Sequence, residues 1–473
     1  MPAKINFVLN NREVSTATNP GLLVLDYLRL IEKEMGTKEG CKEGDCGACM
    51  VLVGDLDGDK VNYLPVTSCL MPVAELQGKH LVTIEGLNQK ALSPIQQVVI
   101  DEGATQCGFC TPGIVVSITG LLLDETKPVD EEGMKYALSG NLCRCTGYRS
   151  LKNGATSLST LLQQNQTPKS RIEALIDFNI IPDYFQKIPA KLQKLAKQVQ
   201  RNRKSQVEYW IAGGTDLYVQ VGEDVPDAEV IALNLNTNMK GINRKNGNLH
   251  IGGLTTFEQF ADSSEIQKII PNIKEFMFLN ASWQIRNRAT LSGNIINASP
   301  IGDMTSLLLA MDVSLVLENG SKSRIILLKE FFKDYKIINK TSDEILTGIV
   351  LPIPPPSSKI NFEKVSKRKT LDIASVNSSI QLHCKNGFIE YASVSMGGVS
   401  PVPLFLQETS NFLTAMPVTV DTILSAIDIV QDEISPISDI RGSADYKRLL
   451  ARQLMIAHFT TLFPENVTVK EFL

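Results

Sequence analysis

The sequence predicts a multidomain α+β protein, and three observations carry that expectation. The chain has 473 residues, enough for about two to four domains that each bury a core. Its apolar periodicity changes from strand-like to helix-like and back several times along the chain. Eight of the nine cysteines lie before residue 146, so the N-terminal third carries chemistry that the rest does not. Apolar residues at 43% and charged residues at 21% describe ordinary globular composition. Lys plus Arg number 47 against 51 Asp plus Glu, a net charge of −4. No basic or acidic block occurs, which points away from nucleic acid and from a membrane surface. No run approaches the ~20 apolar residues that span a bilayer. The opening stretch, MPAKINFVLNNREV, alternates like a strand and lacks the apolar core and cleavage site of a signal peptide. Clustered cysteines in such a chain read as metal ligands in a reducing cytoplasm, not as disulfides.

The elements follow in order. Residues 4–9 and 12–16 read as a hairpin turning at Asn10-Asn11. Leu22, Leu25, Leu28, Leu30 and Ile31 recur at roughly helical spacing after Pro20-Gly21. Then comes Gly40-Cys41-Lys42-Glu43-Gly44-Asp45-Cys46-Gly47-Ala48-Cys49, answered by Cys69. The spacing C-x4-C-x2-C with a distant fourth cysteine matches the plant-type [2Fe–2S] ligand set. Glycines let such a loop wrap closely, and its amides can face the anionic cluster. A structural zinc knuckle or buried free thiols are the plainer alternatives; three ligands in one loop favour iron–sulfur over the paired C-x2-C units of zinc sites. Strand, helix, metal loop and strand, closing near Gly86, give the order of a ferredoxin-like β-grasp unit.

From Ser93 the pattern is helical. Pro94–Glu102 is periodic, and Gln106-Cys107-Gly108-Phe109-Cys110-Thr111-Pro112-Gly113 leads into an apolar helix over 114–123, with Thr111 as N-cap and Pro112 at its first position. A further helix over 130–138 runs into Gly140-Asn141-Leu142-Cys143-Arg144-Cys145-Thr146-Gly147-Tyr148. The C-x2-C and C-x-C pairs, each beside a helix end and one holding Arg144, read as a second [2Fe–2S] site. Residues 163–182 read as a polar linker, and Leu192, Leu195, Ala196 and Val199 as an amphipathic helix. Strand 207–211 feeds Ile211-Ala212-Gly213-Gly214-Thr215-Asp216-Leu217, a turn that can bring backbone amides close to phosphate, or one that is merely tight. Thr290-Leu291-Ser292-Gly293-Asn294 and Asp303 offer polar side chains beside flexible backbone, apt for ribose and pyrophosphate, or a plain polar loop. After Pro352-Ile353-Pro354-Pro355-Pro356 a last unit has strands near 376–384 and 389–396 and helices over 420–432 and 443–462. Cys384 reads as a small buried hydrophobe.

Taken together these segments resemble the molybdenum hydroxylase family, in particular the iron–sulfur/flavin subunits of its xanthine dehydrogenase type. The carrying residues are the three cysteine segments, Ala-Gly-Gly-Thr-Asp-Leu (212–217), Gln-Ile-Arg-Asn-x-Ala-Thr-Leu-x-Gly-Asn-Ile (284–295), Ser-Pro-x-x-Asp (299–303), Lys-Arg (367–368) with Asp-Ile-Ala (372–374), and Ser-Asp-x-Arg (438–441). The resemblance implies a plant-type [2Fe–2S] ferredoxin-like domain at 1–87, a four-helix [2Fe–2S] domain at 88–163, a linker at 164–183, a FAD-binding domain of two α/β subdomains at 184–356, and an α+β C-terminal cap at 357–473. It implies cluster ligands Cys41, Cys46, Cys49 and Cys69, then Cys107, Cys110, Cys143 and Cys145. FAD falls to residues 211–217 and 290–294 with Asp303, Ile373 lines the flavin pocket, and Gln106 meets a molybdopterin held by a large partner subunit. The expected assembly is a pair of such heterodimers in the cytoplasm.

The implied role is electron transfer: from molybdenum on the partner, through two clusters, to FAD and then NAD+, in oxidation of hypoxanthine or xanthine. No side chain of this chain is implied as an acid or base catalyst. The alternatives are the same subunit serving another N-heterocycle or aldehyde hydroxylase, and a non-catalytic iron–sulfur assembly or regulatory protein. Three positions depart from the family pattern: Asn280 where an aromatic is common, Ser292 in place of glycine, and Phe405 where arginine is common.

Overall fold

The computed structural model describes residues 4–163, 170–196, 207–320 and 322–472. They divide into two compact units, one of residues 1–235 with Ser282–Arg288, the other of Asn236–Ala281 with Ala289–Leu473.

The first unit begins with the expected hairpin. Ile5–Leu9 pairs antiparallel with Arg12–Thr16, and Asn10 takes the left-handed backbone (φ 52°) that the tight turn requires. The five-stranded sheet runs in the order Arg12–Thr16, Ile5–Leu9, His80–Val82, Met50–Asp57, Lys60–Thr67. His80–Val82 lies parallel to Ile5–Leu9, and the other pairs are antiparallel. This is the β-grasp order, with Val24–Asp26 continued by a π-helical turn, Tyr27–Glu32, as its helix.

Helices Pro94–Asp101, Thr111–Leu123, Glu131–Ala137 and Arg149–Gln163 follow. Thr111–Leu123 is buried from Gly113 onward, as its unbroken apolar run demands. Gly120 lets it approach the sheet, since a Cβ there would stand 3.0 Å from Leu52 and Pro65. Met50 and Leu52 of the sheet share one core with Ile114, Leu121, Met134 and Leu158 of the helices. Each such aliphatic side chain contributes about 1.5–3 kcal/mol when fully buried.

Three expectations change here. Cys110, not Thr111, is the N-cap of the apolar helix and makes no side-chain cap, while Thr111 is its first residue; Thr111 Oγ1 bonds Thr105 Oγ1 instead (2.7 Å). Residues 164–169 of the expected linker, and Val199 of the amphipathic helix, lie outside the described residues. The remainder of the linker is folded: Ser170 and Glu173 form a capping box on helix Arg171–Asp177, and Leu175, Ile180 and Ile181 are buried in the shared core. Helix Ile188–Ala196 is present with Leu192 and Leu195 buried. The expected strand at 207–211 is shorter, Tyr209–Ile211, and pairs in parallel with Val230–Ala232.

The second unit holds a five-stranded antiparallel sheet ordered Lys322–Leu327, Ser314–Asn319, Ile345–Pro352, Asn248–Gly252, Ile242–Lys245. A four-stranded antiparallel sheet follows, Ser358–Val365, Val376–Lys385, Phe388–Gly397, Leu404–Phe405. The proline-rich stretch joins the two. Helices Val420–Glu433 and Ala444–Leu462 bury Ile423, Ile427, Leu454 and Phe459 in one cluster with Ile380, Val394 and Met396 of that sheet. Cys384 lies in strand Val376–Lys385 but is only half-buried.

Candidate functional site

The loop 40–49 enters strand Met50–Asp57 through a path that ordinary residues resist. Lys42, Gly44 and Gly47 have φ of 59°, 82° and 69°. A Cβ on Gly40 would lie 2.7 Å from the Cys46 sulfur. This winding aims backbone amides inward: those of Glu43, Asp45 and Cys46 face the Cys41 sulfur, Glu43 N at 3.4 Å, and that of Gly44 faces Cys69. Cys49 and Cys69 are buried, Cys41 and Cys46 half-buried. The four thiols stand as two hydrogen-bonded pairs. Cys46 donates to Cys41 and, with the loop amides, holds it down to about 5. The same bond, then burial, pushes Cys46 up. Cys69 lowers Cys49 in the same way and is itself raised.

The second set is paired too. The Cys107 and Cys145 sulfurs are 3.6 Å apart and both exposed. The Phe109 amide and then the Cys145 thiol lower Cys107. Burial and then Cys143 push Cys110 up to about 12. Burial works against the Cys143 thiolate but is outweighed by the combined hydrogen bonds of Thr146, whose hydroxyl lies 3.1 Å from Sγ, of the Cys110 thiol and of the Cys145 amide, so the thiol is lowered. Cys107 and Cys110 precede the helix start at Thr111–Leu123, and Cys143 and Cys145 that at Arg149–Gln163, where the dipole favours negative charge. Among the described residues no three His, Cys, Asp or Glu side chains are gathered tightly enough for one metal ion. Two pairs per set are the arrangement that two irons, each taking two thiolates, require. Each set of four residues therefore fits a [2Fe–2S] cluster.

The two loops meet. Leu142 N donates to Cys46 O at 3.0 Å, and Asn141 Nδ2 to Gly47 O at 3.4 Å. A Cβ on Gly47 would fall 2.4 Å from Gly140 O, and one on Gly113 2.1 Å from Gly47 O. One backbone hydrogen bond thus joins Cys46 of the first set to the residue before Cys143 of the second. Around the exposed pair, the large apolar side chains of Phe109, Leu142 and Tyr148 are also exposed, with the polar Gln106 and Arg144 among them.

Of the expected flavin residues, Ile211–Leu217 belong to the first unit. Ile211, Gly213 and Gly214 are buried, Ala212, Thr215 and Leu217 half-buried, Asp216 exposed. Gly214 has φ 73°. Among the described residues the amides of Gly213, Gly214 and Thr215 make no hydrogen bond, so this turn can offer N–H donors to an anion and fits a pyrophosphate.

Thr290–Asn294 belong to the second unit, where the backbone is not the flexible loop expected. Thr290 caps helix Leu291–Asn297, and the amides of Leu291, Ser292, Gly293 and Asn294 bond Thr255 O, Gly253 O, Thr290 Oγ1 and Thr290 O. Asn294 Oδ1 accepts from Thr305 N and Oγ1, at 3.1 and 2.8 Å. Asp303 accepts from Lys364 Nζ (2.6 Å) and Asn377 Nδ2 (2.7 Å), with the Lys364 and Asp303 side chains almost entirely buried. Those amides and the Thr290, Asn294 and Asp303 side chains hold the unit together, which leaves Ser292 as the buried hydroxyl of the segment. Ile373 is exposed, Asn280 is buried, and Phe405 lies under the Lys329 ammonium at 5.1 Å.

Sequence reasoning missed the work of residues 282–288, which the structure folds into the first unit. Trp283 is fully buried, Gln284 Nε2 donates to Ala137 O (2.5 Å), and Asn287 Nδ2 to Pro65 O (3.1 Å). Arg288 makes a two-pronged ion pair with Glu75, 3.0 Å for each prong, and also donates to Leu70 O and Gly213 O. A charged residue followed by a capped helix start was the one available signal.

Comparison with known proteins agrees with this geometry. A model of the 2Fe-2S iron-sulfur cluster binding domain matches residues 7–74, and a [2Fe-2S] binding domain matches 83–156. The FAD binding domain in molybdopterin dehydrogenase matches 183–354, and the CO dehydrogenase flavoprotein C-terminal domain 362–462. Xanthine dehydrogenase of Emericella nidulans is 27% identical over 94% of this chain and 38% of its own length. That of Oryza sativa is 28% identical over 87% and 36%, and aldehyde oxidase 1 of Bos taurus 26% over 95% and 38%. The chain therefore spans little more than a third of these relatives. Among solved structures, a Cu,Mo-CO dehydrogenase chain is similar at TM-score 0.51 and 25% identity, over 54% of this chain and 89% of that one. A carbon monoxide dehydrogenase chain from Hydrogenophaga pseudoflava shares the fold at TM-score 0.52 and 23% identity, over 55% and 90%.

Proposed function

This chain belongs to the molybdenum hydroxylase family, as an iron–sulfur and flavin chain, and we propose that it is the electron-transfer subunit of a xanthine dehydrogenase. Electrons taken from a purine at molybdenum on a large partner chain would pass through the two clusters to FAD and on to NAD+. Bound, the clusters supply one-electron steps and the flavin exchanges hydride with the nicotinamide. The observation that carries this reading is the hydrogen bond from Leu142 N to Cys46 O, which links the two ligand sets through backbone.

The chain's own residues do the positioning. Cys107 and Cys145, exposed within the rim of Gln106, Phe109, Leu142 and Tyr148, suit the side that a molybdopterin-bearing partner covers. Cys49 and Cys69 are buried away from water, as a middle station should be. The Gly213–Thr215 amides are the proposed pyrophosphate donors; Ile211, Ala212, Asp216 and Leu217 line the same turn, and Thr290 to Asn294, Asp303 and Ile373 complete the proposed flavin set. The cytoplasm is the proposed compartment, on the reading of the eight clustered cysteines as metal ligands in a reducing environment. Partner assembly in paired heterodimers follows the same family reading.

The second reading is a subunit of an aldehyde or other N-heterocycle hydroxylase, favoured by the comparable identity to aldehyde oxidase 1. Copurification of the partner, with turnover assayed on xanthine and on an aromatic aldehyde, separates the two. Xanthine oxidation linked to NAD+ reduction supports the first, and aldehyde oxidation alone replaces it with the second.

A further inference from the structure

Arg288 lies outside every ligand set above, yet it is buried and reaches three parts of the first unit at once. Its Nη1 and Nη2 grip the Glu75 carboxylate, and Nη2 also donates to Leu70 O (3.2 Å) and Gly213 O (2.6 Å). Leu70 follows Cys69, a proposed ligand of the first cluster, and Gly213 opens the turn with unbonded amides. A trans peptide is planar, so its N–H points opposite to its C=O. With the Gly213 carbonyl turned in to Arg288, the Gly214 N–H must point the other way, out of the turn. Gly214 supports this with φ 73°, and a Cβ there would stand 2.7 Å from Leu70 O. Buried, two-pronged and charge-assisted, the Arg288–Glu75 pair is rigid enough to dictate that orientation.

We propose that Arg288 is a positioning residue that holds the Gly213–Gly214 peptide with its N–H presented to the anionic group of the flavin cofactor, and that fastens this turn to the Cys69–Leu70 segment of the first cluster. The proposal rests on the electron-transfer reading. It assigns Arg288 no part in any chemical step.

The test uses the full chain carrying Arg288→Met, Arg288→Lys and Glu75→Gln. FAD affinity is measured by titration of flavin fluorescence, and the two reduced clusters by electron paramagnetic resonance. In Arg288→Met the Kd for FAD rises by about tenfold or more, as expected for a lost charge-assisted network. The first-cluster signal changes line shape while the second-cluster signal stays as in the wild type. Arg288→Lys, with charge but no fork, recovers part of both effects. Should Arg288→Met fail to fold, Glu75→Gln, which keeps the packing, shows the same pattern in weaker form. FAD affinity and first-cluster signal both unchanged in Glu75→Gln and Arg288→Lys would overturn the proposal, as would equal disturbance of both cluster signals. A wild-type chain without FAD or cluster signals condemns the functional reading instead, so the two failures are distinguishable.

Discussion

Cys46 and Leu142 are far apart in sequence, but a single N–H···O bond of 3.0 Å joins them. Single side chains in this region have assignable consequences. Replacing Cys49 by Ser should remove the first cluster and leave the second, so iron per chain falls to about half; Cys143→Ser should do the converse, and metal analysis with electron paramagnetic resonance distinguishes them. The eight candidate ligands stand out in the sequence because cysteine is rare and a cluster would dictate its spacing. Arg288 does not, because its partners Glu75, Leu70 and Gly213 lie 213, 218 and 75 positions away. No local pattern encodes such contacts. Asp303 was legible as a polar residue beside a turn, but its engagement by Lys364 and Asn377 needed the fold. Lys364→Met should leave the Asp303 carboxylate buried and unpaired, costing about 3–5 kcal/mol in denaturant unfolding of the second unit.

Elements differ in how far their sequence determined them. Thr111–Leu123 was legible from its apolar run, though its first turn was misjudged, since a Thr-Pro start reads as a cap wherever Cys110 makes no competing signal. Thr290–Asn294 looked flexible because glycine and small polar residues describe a loop and a capped helix equally well. Only the pairing of its amides with Thr255 and Gly253 decides for helix. The contact of the two cysteine loops depends on glycine at both sides. Gly47→Ala adds a Cβ at 2.4 Å from Gly140 O on a backbone with φ 69°. It should cost about 1–3 kcal/mol and slow electron exchange between the clusters, read by rapid-freeze electron paramagnetic resonance, while both clusters still assemble.

At the scale of the whole molecule, acid should be felt through two buried histidines, one in each unit. His80 donates Nε2–H to Asn10 O and accepts at Nδ1 from Tyr63, and burial lowers its pKa to about 3. His458 accepts at Nδ1 from Asn361 and is likewise lowered to about 3 by burial. Unfolded, each would bind a proton near pH 6.5, so the unfolded state takes up protons first as pH falls. Stability is full above that value and is lost toward pH 3, about 2 kcal/mol per histidine by pH 5. Urea unfolding at pH 7 and pH 5 checks this, and His458→Gln should remove its share of the difference. The change from sheet to helices before Pro94–Asp101 was legible from where the periodicity changes. The folding of residues 282–288 into the first unit was not, since a short segment inside a later domain carries no mark of where it packs.

In the proposed function this one chain carries two clusters and a flavin in electronic contact. Reductive titration of the purified chain with NADH, followed by electron paramagnetic resonance and metal analysis, tests it most directly. Four irons per chain in two distinct [2Fe–2S] signals are expected, both developing as NADH is added in the presence of FAD. Stoichiometric zinc with no iron–sulfur signal would contradict it, as would two clusters that dithionite reduces and NADH with FAD leaves oxidised.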